Sequence, residues 1–413
     1  MKGCPRPGTL WEVFVEDESL ENQKETAMNR YDSVTAIGVD VHYKFSQVSM
    51  RDSSGKVVVR ERLDHQDRDE VRRRLRQWPK VPVVLEASFG WSWLTDEMKA
   101  AGLKPMLSNC YKVEQMRKAH SYTKTNKKDA DLLAMLPAEA EPWWRVWMAP
   151  PEVRDHREVL RLRSSLVGLQ TGTKNRIWGV FHRHGIFHDL SDLFGTHGRE
   201  LLAELCARGR TKDVQLATGA LAYLRHQVEL LMQVRNHLAG IGSDLRHRLE
   251  EDPLIRRIDG IPGFGLILSH TLVSEVGDIR RFARHGSLAN YSLLAPICRD
   301  TGEQDPDQKP QGRHLGRRGN RTLKWTFIEA AHGAVRSGGT HRELFDYVTH
   351  GGRENCNRGY IKVARELVKS VHVVWSKNVE YSEHPACRPG SLTSASTRPG
   401  TGQLKHPMAV VHM

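Results

Sequence analysis

Acidic residues at the ends of apolar runs are the side chains of this chain best placed for chemistry. Ala36-Ile-Gly-Val-Asp40 reads as a buried strand closing on a carboxylate, and Val83-Val-Leu-Glu86 reads as a second. Lys124-Thr-Asn-Lys-Lys-Asp-Ala130 reads as a basic loop entering a helix whose first turn carries Asp129. If the two strands are neighbours, Asp40 and Glu86 converge on one edge of a sheet. Asp129 then adds a third oxygen ligand from a helix start, where backbone N–H groups also favour an anion. Three such acids suffice to hold one or two Mg²⁺ ions that activate a nucleophile and stabilise the leaving oxygen of a phosphodiester. A lone Asp at a strand end is more often a turn or cap residue, and only the three acids together point to a metal site.

The elements that must position these acids are readable in outline. Thr35 to Asp40, Lys44 to Met50 and Val57 to Arg62 are strand-like runs separated by turn-sized gaps, the last holding Asp52-Ser-Ser-Gly55, and they predict an antiparallel meander. A charged helix near Asp67 to Trp78, a strand from Val81 to Glu86, a helix from Trp91 to Ala101 capped by Gly102, and a strand from Lys104 to Ser108 follow. Hairpins first and alternation with helices afterwards indicate a mixed α/β sheet. Val153 to Phe181 is helical in its spacing. Leu224, Leu231, Leu238 and Leu245 fall seven apart, with Leu221, Val228 and Leu249 on the companion position and Arg235 and Gly242 interrupting it. This seam predicts a coiled coil or a long antiparallel helical hairpin, burying its leucines against a helix of a second subunit or of the same chain. The expected division is an extension over 1–33, an α/β domain over 34–150, a helical connector over 151–252, a mainly helical domain over 253–382 and a disordered tail over 383–413. Met28 is an alternative start.

Composition points the same way. Among 413 residues, 62 Lys and Arg outnumber 49 Asp and Glu for a net charge of +13, which favours a polyanionic partner over a neutral one. Six cysteines without a C-x-x-C pair suggest neither a disulfide framework nor a zinc site, and fit a reducing cytosol. No apolar run approaches the roughly 18 residues of a membrane helix, so a cytoplasmic protein without membrane contact is expected. His184 and His188 straddle Gly185 and suggest no metal site.

Several ordered blocks make a resemblance specific. Ala36-Ile-Gly-Val-Asp-Val-His42, Leu85-Glu-Ala87 and Lys124 to Ala134 resemble the N-terminal blocks of the DEDD transposases of bacterial insertion sequences. Thr173-Lys-Asn-Arg-Ile177 with His184-Gly-Ile186 is similar to that family's helical connector. Ile261-Pro-Gly-Phe-Gly265, Glu275-Val-Gly-Asp-Ile279, Tyr291 to Pro296 and Arg317 to Trp325, with Glu329-Ala-Ala331, are similar to its C-terminal domain. The resemblance spans about Thr35 to Tyr381. It implies a RuvC-like N-terminal domain of RNase H architecture, a metal site of Asp40, Glu86 and Asp129 using Mg²⁺, and a DNA transposase acting on donor and target DNA. It also implies an element-encoded guide RNA and a homo-oligomer, dimer or tetramer, in which acids and nucleophile can come from different subunits.

Two positions depart from the family pattern. The acid expected three residues before Asp129 is Asn126, which offers a neutral carbonyl oxygen and no charge. Asp131 is a poor substitute, because two residues along a helix turn a side chain to nearly the opposite side. The family's nucleophilic serine falls on Thr301, which keeps the hydroxyl but is β-branched and more hindered; Thr301 with Gly302 also reads as a plain turn. Ser292 lies too early in its block, and Tyr291 is better read as a packing residue than as a nucleophile.

Nucleic-acid contact is expected from Lys124, Lys174 and Arg176, and from the basic segment Arg317, Arg318, Asn320, Arg321 and Lys324, with Arg313 just before it. Gly263 and Gly265 are expected to bring backbone N–H groups to a phosphate in a helix-hairpin-helix turn, although a lone P-G-x-G is common in plain turns. Two other classes stay open. A structure-specific RuvC-like nuclease would use the acids without Thr301, and a catalytically degenerate relative would bind nucleic acid without cutting it.

Overall fold

In the computed structural model, residues 30–119, 125–140, 142–296, 315–316 and 318–382 are described. The chain divides into two compact units, 1–148 and 149–413. Thr301, Lys124, Arg313 and Arg317, the tail and most of the extension lie outside the described residues.

The first unit is built on a six-stranded sheet, β1 (Val34–Val41), β2 (Phe45–Asp52), β3 (Val57–Asp64), β4 (Pro82–Glu86), β5 (Lys104–Ser108) and β6 (Arg145–Val146), in the order β3-β2-β1-β4-β5-β6. The first three strands form the expected antiparallel meander, and β4 and β5 run parallel beside β1. Central β1 is apolar and buried along almost its whole length because both faces are covered. At the edge, β3 alternates strictly, with Val59, Glu61 and Leu63 inward and Val58, Arg60 and Arg62 outward. Helices α1 (Arg68–Gln77), α2 (Trp91–Ala100), α3 (Cys110–Ala119) and α4 (Asn126–Met135) fill the connections. Asp67 caps α1 by accepting from the N–H groups of Asp69 and Glu70. Tyr31, inside the stretch expected to be an extension, is buried in this unit's core with its hydroxyl 3.4 Å from Glu61. The folded region therefore begins at or before Tyr31, earlier than the boundary expected at 34.

The second unit is helical among its described residues. Two helices of 34 residues, α5 (Pro151–His184) and α7 (Thr218–Glu251), lie antiparallel with α6 (Thr196–Arg208) between them in sequence. Leu224 and Leu231 are buried with Ile177, Val180 and Phe181 of α5, while Leu245 is also buried and Leu238 partly so. Of the two covers expected for this seam, a second subunit or the same chain, the chain itself supplies most, as an intramolecular hairpin. A heptad period shows that a helix has a face to bury, and says nothing about whose helix covers it.

Beyond the hairpin come α8 (Pro253–Asp259), α9 (Leu266–Val276), α10 (His285–Tyr291), α11 (Arg321–Ser337), α12 (Gly339–Thr349) and α13 (Cys356–Lys377). The segments expected as connector and separate domain share one compact unit. Arg157 of α5 joins them by donating to the carbonyls of Ser274 and Glu275 on α9. Among the described residues, no helix is long and apolar enough to cross a membrane.

Candidate active site

Sheet register sets the first two acids side by side. Val39 of β1 pairs with Leu85 of β4 in parallel, so Asp40 and Glu86, one residue further on, project to the same face at adjacent strand ends. That face is covered by α4. Where α4 crosses β1, Gly38 touches the helix backbone, and a methyl group there would overlap the main chain at Ala130 and Ala134. Only a glycine permits this approach. It places Asp129, the residue before Ala130, over the strand end that carries Asp40.

The electrostatics report the same convergence. Asp40 is buried and its carboxyl is pushed above the usual carboxylate range, first by burial; the negative charges of Asp129 and Glu86 push the same way, and His42 opposes them. His42 Nε2 lies 3.1 Å from Asp40 Oδ2. Cys110, at the start of α3, has its thiol raised to about 11 by burial and by Glu86 beside it. Arg117 on α3 feels the charge of Asp129. Among the described residues, no three acid, histidine or cysteine side chains stand close enough to grip one ion directly. The donors are nonetheless hard carboxylate oxygens whose mutual repulsion a divalent cation would relieve. Mg²⁺ retains several waters and needs only one or two direct carboxylates, so the set Asp40, Glu86 and Asp129 fits it.

Asn126 is the exposed first residue of α4, whose N-cap Thr125 accepts from the Lys128 N–H. Asp131 points away as helical geometry requires, forming a bidentate pair with Arg60 and accepting from Ser49 Oγ at 2.6 Å. His42 went unassigned in the sequence, although strand periodicity puts residues 40 and 42 on one face. A cleft of about 810 Å³ adjoins these strand ends, lined by His42, Tyr43, Phe89 and Trp93 among others.

In the second unit, Gly263 (φ +86°) is pressed against α11, where a methyl would overlap Ala330 and crowd Ala334. Its glycine is thereby explained by packing. Gly265, at the N-cap of α9, has open space before it and keeps the freedom a phosphate contact needs. Asn320 caps α11 through the Leu323 N–H and donates to Glu275 Oε2 at 2.7 Å, so its amide is engaged within the fold. Arg318 and Arg321 are exposed and Lys324 is half-buried. Lys174 lies over the Phe194 ring at 5.1 Å, and Arg176 is exposed. Tyr291 packs on Phe282 and Ser292 is fully buried, consistent with neither being a nucleophile.

A mixed sheet with Asp40 and Glu86 at adjacent strand ends and Asp129 on the helix that covers them is an arrangement suited to carboxylate-based phosphodiester chemistry, here followed in sequence by a helical unit. The pattern of the DEDD transposases of IS110 elements matches residues 37–185, and that of the IS116/IS110/IS902 transposase family matches residues 255–346. The chain belongs to the DEDD transposases of insertion sequences, and the DEDD domain carries with it an RNase H-like α/β fold. It is similar to an uncharacterized 44.8 kDa protein of insertion element IS116 from Streptomyces clavuligerus, at 28% identity over 148 residues, 35% of each chain. It is also similar to the transposase of insertion sequence element IS1111A from Coxiella burnetii, at 22% identity over 347 residues, covering 83% of this chain and 89% of that one.

Proposed function

We propose that this protein cleaves and rejoins DNA as the transposase of an insertion sequence, with Asp40, Glu86 and Asp129 holding Mg²⁺ and the Thr301 hydroxyl attacking phosphorus. The observation that carries the reading is the gathering of three carboxylates at one sheet edge by β1, β4 and the Gly38 contact, in a chain of net charge +13. When bound, the ion supplies Lewis-acid stabilisation of charge on the reacting phosphate. Asp40 and Glu86 are held by the register of two hydrogen-bonded strands, so their spacing is set before substrate arrives. His42 lies against Asp40 and favours its ionised form. Thr301 Oγ would form the new bond to phosphorus as the P–O bond of the DNA strand breaks, the threonine proton passing to solvent and the released oxygen leaving as a hydroxyl. An element-encoded RNA choosing donor and target sites, and a homo-oligomer supplying acids and hydroxyl from different subunits, complete the reading; both come from the family resemblance.

The test is a denaturant-resistant protein–DNA adduct formed with Mg²⁺ on the element's own ends. Thr301→Ala should abolish the adduct and leave DNA binding within about twofold, since a hydroxyl that reacts is not one that grips. An adduct that persists in Thr301→Ala would show that another residue is the nucleophile. Cleavage by the wild type without any adduct would favour a RuvC-like nuclease.

A further inference from the structure

The second unit contains a basic cleft that the carboxylate chemistry does not use. It measures about 420 Å³ and is walled by α5, α9 and α11, with Arg161, Arg163, Arg321 and Trp325 among its lining residues. That volume is of the size that takes one small ligand or one nucleotide.

Arg161 is exposed and Arg163, three residues after the buried Leu160, is half-buried, and both line the cleft. Burial draws the Arg163 guanidinium below its ordinary value, with no neighbouring carboxylate among the causes. Arg321 is the first residue of α11, a helix of 17 residues. Among the described residues, none of these three arginines has an ion-pair partner. The acid in the lining, Glu275, is engaged by Asn320 at 2.7 Å and lies 4.0 Å from Arg157. Trp325 is one helical turn beyond Arg321 on α11 and leaves 48% of its surface exposed.

Guanidinium groups without ion-pair partners and a half-exposed indole line the same cleft, so it offers places for an anion and for a flat π-system together. We infer that this cleft binds an unpaired nucleotide of a nucleic-acid strand, its phosphates on Arg161, Arg163 and Arg321 and its base stacked on Trp325. A base inside a duplex has both faces covered by its neighbours and cannot stack on the indole, so the ligand is single-stranded or extruded. The inference takes from the proposed function only the class of polymer; it does not depend on the carboxylates or on Thr301.

The experiment uses the full chain with a chelator present, so that no strand is cut, and follows the anisotropy of labelled single-stranded DNA, single-stranded RNA and matched duplex of about a dozen nucleotides, a length comparable to the site sizes of single-strand binders. Trp325→Ala should weaken binding to at least one of the single strands by about tenfold, and Trp325→Phe should restore most of it, as expected for loss and partial recovery of one stacked base. Arg161→Ala with Arg163→Ala should flatten the log–log salt dependence by about 1.4, the share of two phosphate contacts on a single strand. Duplex affinity should change little in all three variants. Which single strand responds tells DNA from RNA as the source of the nucleotide. Wild type that binds single strands while Trp325→Ala binds them equally well overturns the cleft and leaves the proposed function standing. Wild type that binds no nucleic acid at all overturns both.

Discussion

Asp40 of the sheet unit and Glu275 of the helical unit are both buried acids, and they are handled in opposite ways. In the helical unit, Glu275 receives the Asn320 amide and lies near Arg157, while the Asn320 carbonyl oxygen caps α11. In the sheet unit, Asp40 faces Glu86 and Asp129, and the two acids add to the burial that raises its carboxyl, with only His42 opposing. A buried charge that has its partners is architecture. A buried charge facing charges of its own sign is unstable by itself and asks for a cation. Both acids fall in blocks that resemble the same family, so motif alone gives them equal weight, and environment separates them.

The largest effect should come from breaking the satisfied acid. Glu275→Ala leaves the Asn320 amide without its acceptor and removes the negative charge nearest Arg157, and it should destabilise the protein by about 3–5 kcal/mol in urea unfolding. An unchanged midpoint would mean that this node does not hold α9 to α11.

Asp40→Asn should do the reverse. Because the folded carboxyl titrates above its ordinary value, Asp40 contributes its stability below its unfolded pKa and loses that contribution as pH rises through the raised value. Near neutral pH the metal-free Asp40→Asn protein should therefore melt no lower than wild type. Its strand cleavage with Mg²⁺ should fall by more than about 100-fold, beyond the loss typical of an outer-shell metal partner. A clear drop in melting temperature would place Asp40 with Glu275, as a structural acid.

Acid should distinguish the units next. His270, fully buried, lies with one ring nitrogen 2.8 Å from the Leu245 carbonyl and the other 3.0 Å from His156 Nε2. Both rings are satisfied neutral, with His270 donating to Leu245 and His156 donating to His270. Burial, then the neighbouring His270 and Arg248, draws His156 from 6.5 down to about 4. A histidine with a depressed folded value contributes stability above its unfolded value and loses it as pH falls between the two. The helical unit should lose about 2 kcal/mol from pH 7 to pH 4, allowing for the partial exposure of His156. His156→Gln should flatten that dependence in urea midpoints taken across the range.

Much of the sheet unit was legible because its signals are local. Five of the six strands are apolar or alternating runs bounded by turns, and Asp131 could be set aside from helical geometry alone. The two-residue β6 is too short to show a period, and α3 buries only Val113, so its helical face leaves little mark. In the helical unit, the leucine period announced a buried face without naming α5 as its cover. The bond between Asn320 and Glu275 spans 45 positions and is set by tertiary packing, so a basic segment read as a nucleic-acid surface contained a residue engaged by the fold. His42 was the avoidable omission, since residues two apart on a strand share a face.

The smallest effect tests the departure at the edge of the carboxylate site. Asn126 is exposed at the first position of α4, one helical turn before Asp129. Asn126→Asp adds a negative charge where two separate influences act on it. The exposed N–H groups of the first turn favour it, by about 0.5 kcal/mol at low salt. Asp129 disfavours it as a like charge three residues away on the same face, by a similar amount. Without metal the two should nearly cancel, and the melting temperature should move by less than about 2 °C. If position 126 faces the proposed ion, Mg²⁺ replaces the repulsion with attraction to a shared cation, and the variant should gain more thermal stability from added Mg²⁺ than wild type does. In Asp40→Asn that extra gain should shrink if Asp40 holds the ion as proposed. An equal Mg²⁺ response in wild type and Asn126→Asp would mean that position 126 does not face the ion, and that the site is complete with three acids.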